Sequence, residues 1–357
     1  MFNITNNYLK KNFVDIGTAL TKALERIDEL KNKKDDISGV PSGFANLDRI
    51  TFGWQPSDLI ILAARPAVGK TAFALNLARN AALHPTHPKA VGLFSLEMSA
   101  ASLVQRILSA ESEIPMEKIS RGKLEDHEYI QMQTKGIRPL ESAPLYIDDT
   151  AALNIFEFRA KARRLVNKHK VELIIIDYLQ LMSGSGDRNS NREQEISGIS
   201  RNLKILAKEL NIPIIALSQL SRAVESRKES KMPQLSDLRE SGAIEQDADM
   251  VMFLYRPDYY DQKMDEKGEN IEGLTQVKIA KHRNGSLDTV NLKARLEIQK
   301  FEDWMGNITP LKDYSNFVNR GKPSGEGEGG QVYRQVGSKM NDNTDFDSGL
   351  EPDNPIA

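Results

Sequence analysis

The sequence predicts an α/β fold: a mainly parallel sheet flanked by helices and closed by a C-terminal antiparallel hairpin, preceded by a single linker helix. Two patterns and the composition predict it. Six short, continuously apolar, β-branched runs alternate with helical patterns: LIILAA at 59–64, AVGLFSLEM at 90–98, PLYIDD at 144–149, ELIIIDY at 172–178, IPIIALSQ at 212–219 and MVMFLYR at 250–256. A strand apolar on both faces needs cover on both faces, which helices over a parallel sheet provide. Further on, TQVKIAKHRNGSLDTVNLKARLEIQKFED alternates apolar and polar residues around Asn284-Gly285, and Asn-Gly is a strong hairpin signal because its turn needs positive φ. With 357 residues, 39% of them hydrophobic, the chain can bury a substantial core.

Taken in order, residues 1 to about 36 carry one helical pattern, with Ile16, Leu20, Leu24, Ile27 and Lys31 at spacings of three or four, ending in the charged stretch KNKKDD. An isolated helix of this length is marginal in water, so its apolar stripe must dock on its own domain or on a neighbouring copy. Residues 37–318 form the α/β domain. From 319 onwards GKPSGEGEGG and NDNTDFDSGLEPDNPIA follow, and residues 321–357 hold three basic and seven acidic side chains with few large apolar ones. That composition predicts a disordered acidic tail.

Charge and cysteine usage narrow the function. The 48 basic and 50 acidic residues leave a net charge of -2, so any nucleic-acid surface must be local. The chain has no cysteine, which removes disulfides, thiolate metal sites and cysteine nucleophiles and agrees with a reducing compartment. No apolar run approaches the roughly 20 residues that span a bilayer, and the polar start MFNITNNYLKKN lacks a signal-peptide core. A cytoplasmic location is expected.

The chemistry is concentrated at strand ends. Strand LIILAA runs into ARPAVGKT and then into AFALNLARNAAL: strand, loop, helix, the order a phosphate-cradling loop needs. Ala64, Arg65, Pro66, Ala67, Val68, Gly69, Lys70 and Thr71 form this loop. Its amides and the helix N-terminus face the β-phosphate of ATP, Lys70 reaches the β and γ phosphates, and Thr71 ligates Mg2+. Gly69 allows close approach of phosphate. Ala64 replaces the usual first glycine at the strand exit, where a Cβ is tolerable if φ stays negative. Asp177 lies near the end of ELIIIDY, the expected place for a carboxylate holding magnesium through water. Glu97 follows the strand in LFSLEM and can polarise an attacking water. Gln219 ends IPIIALSQ and can sense the γ-phosphate. Three polar residues at the carboxyl edge of a sheet that also carries a phosphate loop point to a ligand site there.

In this order GVPSGFANLDRITFGWQPSDLIILAARPAVGKTAFALNLA, FSLEMS, LIIIDYLQLM, ALSQLSR, LSDLRESGAIEQDAD and KIAKHRNG resemble the RecA-type motor domain of DnaB-type replicative helicases, over roughly residues 37–305. The resemblance implies a RecA-like P-loop NTPase core in a homo-hexameric ring that hydrolyses ATP at subunit interfaces, translocates on single-stranded DNA and unwinds duplex. It implies Glu97 as catalytic glutamate, Asp177 as Walker B aspartate, Gln219 as γ-phosphate sensor, and Arg283 as an arginine finger with Lys281 its partner, both serving a neighbouring subunit. It also tolerates alanine at the first loop position. Arg239, Glu240 and Gly242 match a loop that contacts DNA in the central channel. Arg188 and Arg192, in SGSGDRNSNREQE, are further candidates for lining it. Both loops are poor in aromatics, which suits backbone tracking.

The family usually carries a helical N-terminal domain before the linker helix, where only about 36 residues stand here. A natural short phage or plasmid version and a fragment both fit, so a collar and primase binding do not follow, while a helicase loader remains an expected partner. A RecA- or RadA-like recombination ATPase is the alternative; the DLRESGAIEQDAD and KHRNG segments fit helicase better. A primase-helicase fusion lacks cysteines for the usual zinc site, and a non-enzymatic ring subunit would require a lost catalytic group, of which none is seen.

Overall fold

The computed structural model describes residues 14–32, 37–183, 192–221, 224–227, 230–238, 242–264 and 268–304. These lie in the first of two units, Met1–Met305, with Gly306–Ala357 forming the second. The expected domain boundary at 318 and the acidic tail lie outside the described residues.

Nine strands form one sheet in the order β3-β2-β4-β5-β1-β6-β7-β8-β9. They are β1 (Leu59–Ala64), β2 (Val91–Ser95), β3 (Leu145–Asp148), β4 (Leu173–Asp177), β5 (Ile214–Gln219), β6 (Met250–Tyr255), β7 (Leu274–His282), β8 (Thr289–Arg295) and β9 (Lys300–Asp303). The first six are the six apolar runs, and all pair in parallel. β7, β8 and β9 add antiparallel pairs, with Asn284-Gly285 in the β7–β8 connection. β1, β2, β4 and β6 are buried along their whole length, which explains why they read as unbroken apolar runs rather than as alternation.

Helices follow the strands they cover. After α1 (Ile16–Asn32) and α2 (Ala45–Thr51) come α3 (Lys70–Ala82), α4 (Ala100–Ser112), α5 (Met116–Arg121), α6 (Asp126–Gln131), α7 (Arg138–Glu141), α8 (Ile155–His169), α9 (Arg192–Leu210) and α10 (Gly242–Asp247). In α9 the stripe Ile196, Ile199, Leu203, Leu206 and Ala207 is buried at helical spacing, against the core that Ile174, Ile176, Ile214 and Ala216 supply. Asn154 caps α8 by accepting from the amides of Phe156 and Glu157, satisfying donors the helix cannot use itself.

α3 is held from the side of β9. Phe73 stacks on Phe44 at 5.6 Å and meets Phe301 edge-on at 5.3 Å. Buried Asn76 donates to the Gln299 carbonyl at 2.8 Å and accepts from the Phe301 amide at 3.1 Å. Phe73 is fully buried, and burying one such ring contributes about 2–3 kcal/mol. β9, which alternation alone did not separate from β8, therefore anchors the helix that follows the phosphate loop.

By contrast α1 leaves its stripe open: Ile16, Leu20, Leu24 and Ile27 are 53–82% exposed. No helix among the described residues is long and apolar enough to cross a membrane.

A cluster of charges closes the amino edge of the sheet. Burial, reinforced by the neighbouring Asp249 carboxylate and opposed by Lys204 and Arg283, pushes Asp58 up from 3.8 to about 6. The folded protein thus holds this proton more tightly than the unfolded chain, so ionising Asp58 opposes folding. That penalty is absent below pH 3.8, grows through the window up to about 6, and is complete above it. Asp58→Asn is expected to raise the unfolding midpoint at pH 8 and to converge with wild type at pH 4. Thermal melts across that range check it, and a variant equally less stable at both pH values would contradict it.

Candidate functional site

The parallel sheet brings the C-terminal ends of β1, β2, β4 and β5 to one edge, and the loops leaving them build the site. After Ala64, itself buried, the chain turns through Ala67 at φ 63° and Gly69 at φ 109° before α3 begins at Lys70. A Cβ on Gly69 would meet Leu296 and Phe301 at 3.4 Å, so it is mainly the backbone that demands glycine there.

Thr71 donates its hydroxyl to Asp177 Oδ2 at 2.6 Å. The other carboxylate oxygen, Oδ1, is buried without a partner. A buried anionic oxygen left open beside a threonine hydroxyl fits a hard divalent cation, which takes one or two protein oxygens and completes its shell with water and phosphate. Among the described residues no group of three His, Cys, Asp or Glu is arranged to hold a metal by itself.

Lys70 places its ammonium 4.5 Å from the centre of the Tyr178 ring, a cation–π contact. Burial lowers its pKa while Asp177 and Glu97 act to raise it, so a nearby polyanion would stabilise the charge. Burial, with Glu97 and Asp177 adding to it, raises the Tyr178 phenol.

Glu97 lies exposed just past β2. The turn that places it is pinned by Ser95, whose Oγ donates to the Met98 carbonyl at 2.8 Å and accepts from the Met98 amide at 3.0 Å. Ser99 then caps α4 by accepting from the Ser102 amide, so FSLEMS encodes strand exit, turn and helix start. Gln219 pairs with Ala64 across β5 and β1 and is exposed. Gln180 bridges the same edge, donating to Ser218 Oγ at 2.9 Å and accepting from the Gln219 amide at 3.3 Å.

Other expected residues stand elsewhere. The Arg65 side chain leaves the loop, donating to the Leu220 carbonyl at 2.7 Å and to Glu225 at 2.6 Å, so only its backbone remains to face phosphate. Arg192 opens α9 with its guanidinium on Glu195 and on the Gln180 carbonyl at 2.5 Å. Gly242 begins α10. Arg188, Arg239 and Glu240 lie outside the described residues. Lys281 donates to the carbonyls of Glu245 at 2.5 Å and Ala248 at 2.8 Å, and Arg283 to that of Gln246 at 2.6 Å. Both therefore lie at the amino edge: β7 runs antiparallel to β6, so His282 pairs with Met250 at the start of β6.

Residues 39–303 match the family described as DnaB-like helicase C terminal domain. The chain belongs to this family. It is 48% identical over 289 residues to the replicative DNA helicase DnaC of Bacillus subtilis (strain 168), covering 81% of this chain and 62% of that protein. With the replicative DNA helicase DnaB of Geobacillus stearothermophilus it shares 50% identity at the same coverage. It thus spans about three fifths of the length of these curated relatives. Among solved structures, an ATPase domain is similar at TM-score 0.73 and 38% identity, covering 82% of this chain and 100% of that one. A DnaB-like replicative helicase, described with its interactions with primase, gives 0.72 and 38%, covering 81% and 68%. The family and the RecA-like fold expected from the motifs are both present.

Tyr178 and Gln180 were not singled out from the sequence, although LIIIDYLQLM contains both. Their roles depend on what the turn after β4 brings near Lys70 and β5. Gly69→Ala is expected to force a left-handed backbone that costs about 1–2 kcal/mol, weakening nucleotide binding by roughly tenfold with little change in fold. Titration with a fluorescent nucleotide checks this; unchanged affinity would remove the loop from the site.

Proposed function

We propose that this chain is the motor of an ATP-dependent replicative DNA helicase that works in the cytoplasm as a ring of six copies, translocating on single-stranded DNA and unwinding the duplex ahead. One observation carries the reading. Lys70, Thr71 and Asp177 lie at the carboxyl edge of the sheet and Lys281 and Arg283 at the amino edge, separated by the length of a six-residue strand, about 17 Å at the usual rise. Arg283 therefore cannot serve the phosphate loop of its own chain. Supplied to another copy's loop, its guanidinium stabilises charge on the transferred phosphoryl and ties hydrolysis to movement between copies. The open stripe of α1 supports the same assembly, because it offers an apolar face to a neighbour.

In this mechanism the loop amides and Lys70 hold the β and γ phosphates of ATP. Thr71 and Asp177 would hold Mg2+, which when bound neutralises charge on the phosphates. Glu97 orients the attacking water and takes its proton, and Gln219 reports the γ-phosphate to the chain beyond β5. The local connections support that last role. Ser221, two residues after Gln219, donates its amide to the Asp237 carbonyl at 3.2 Å, and Asp237 stands two residues before Arg239. This hydrogen bond supports a link between the chain beyond Gln219 and the approach to Arg239. Arg239, Glu240 and Gly242, with Arg188 and Arg192, would follow the DNA backbone. A closed ring needs a loader to reach a strand without free ends, so a helicase loader is a further proposed partner. The primase interaction named for a solved relative stays with that protein. The recombination alternative is less well supported, because the relatives are named as replicative helicases.

Hydrolysis, unwinding and DNA-binding measurements test the reading. Single-stranded DNA should stimulate phosphate release, and a forked duplex should be unwound with ATP; Lys70→Ala should abolish both and Glu97→Gln should slow hydrolysis with nucleotide binding kept. Strand exchange without unwinding would favour recombination instead. Arg239→Ala should weaken single-stranded DNA binding for all sequences and reduce the salt slope by about one contact, whereas a sequence-selective loss would contradict backbone tracking.

A further inference from the structure

We propose that Asp249 is a positioning residue for Arg283, fixing the guanidinium at the amino edge so that its exposed part is presented to a neighbouring copy. The inference rests on the proposed trans role of Arg283 and adds the group that makes that role effective. Asp249 closes LSDLRESGAIEQDAD, a motif whose DNA-binding part accounts for Arg239 to Gly242 but not for its last aspartate.

Asp249 is buried and fully engaged. Its Oδ2 accepts from the Leu59 amide at 2.8 Å and from Lys204, which binds it to the start of the central strand and to α9. Its Oδ1 accepts from Arg283 at 3.2 Å, and its backbone carbonyl accepts from the Arg283 amide at 2.9 Å. Arg283 is thus held by main chain and side chain to one residue. Its other terminal nitrogen reaches the Gln246 carbonyl at the end of α10, where Lys281 is also seated. Asp58 completes the charged surroundings.

An exposed ion pair between mobile side chains would contribute little. Here one partner is buried and tied to β1, while the arginine side chain remains 47% exposed. The carboxylate therefore sets direction and leaves part of the guanidinium open. A long side chain that must meet a transferring phosphoryl loses rate steeply when misplaced, by about 10²-fold per ångström in other enzymes.

The test uses the assembled protein with single-stranded DNA and compares Asp249→Asn, Asp249→Glu, Arg283→Ala and the Asp249→Asn/Arg283→Ala double variant. Asp249→Asn keeps an oxygen for the Leu59 amide and loses the charge. It is expected to lower kcat by about 10²-fold while KM for ATP stays at the wild-type value, and the double variant should be no slower than Arg283→Ala alone. A purely structural defect would instead raise KM or multiply the Arg283→Ala loss, and either result overturns the proposal. If Asp249→Asn does not fold, Asp249→Glu carries the same comparison, because it keeps the charge and displaces the carboxylate by one methylene. Wild-type kcat in whichever Asp249 variant folds, with Arg283→Ala slow, overturns the positioning role alone. Wild-type kcat in Arg283→Ala overturns the trans reading on which it rests.

Discussion

A parallel sheet sends the C-terminal ends of all its strands to one edge and their beginnings to the other, and the mechanism proposed for this protein depends on that separation. The phosphate loop, the Thr71–Asp177 hydrogen bond, Glu97 and Gln219 gather at the carboxyl edge because β1, β2, β4 and β5 run the same way. Arg283 is carried to the amino edge because β7 runs against them. The central strands are buried along their length, and a six-residue strand, about 17 Å at the usual rise, is too long for a side chain to span within one copy. Topology keeps Arg283 away from the phosphate loop of its own copy, which is the arrangement the proposed site between copies needs.

Other features serve that arrangement. Phe44, Phe73, Phe301 and Asn76 clamp α3, which gives the loop proposed to hold phosphate a fixed base. Arg65 turns away from the loop to bind Leu220 and Glu225, tying the phosphate loop to the segment after β5. At the opposite edge Asp249 gathers Leu59, Lys204 and Arg283. Both the loop after β1 and the Asp249–Arg283 pair are thus anchored to β1, the strand at the middle of the sheet.

The six core strands were legible because burial on both faces leaves a continuous apolar run, and so was the strand–loop–helix order around Gly69, Lys70 and Thr71. Asp177 was legible as a polar residue ending an otherwise apolar strand. β9 was hidden, since four residues after a tight turn carry too little alternation to separate them from β8. The fate of Arg65 was hidden for another reason: a motif specifies backbone positions, whereas Glu225, which claims its side chain, lies 160 residues away. The same limit applies to the contacts that Arg192 makes with Glu195 and the Gln180 carbonyl, and to Asp249, whose partners come from β1, α9 and the β7–β8 connection.

The division of the site between copies is tested most directly by co-expressing Arg283→Ala with Lys70→Ala and measuring phosphate release from the mixed assemblies, with size confirmed in solution. Each variant alone should be inactive, one for want of the finger and the other for want of the loop. In the mixture, some interfaces pair an intact loop with an intact finger, and because such fingers contribute about 10³–10⁵ in rate, hydrolysis should reappear well above both parents. Mixed assemblies of full size that hydrolyse no faster than either parent would contradict the account.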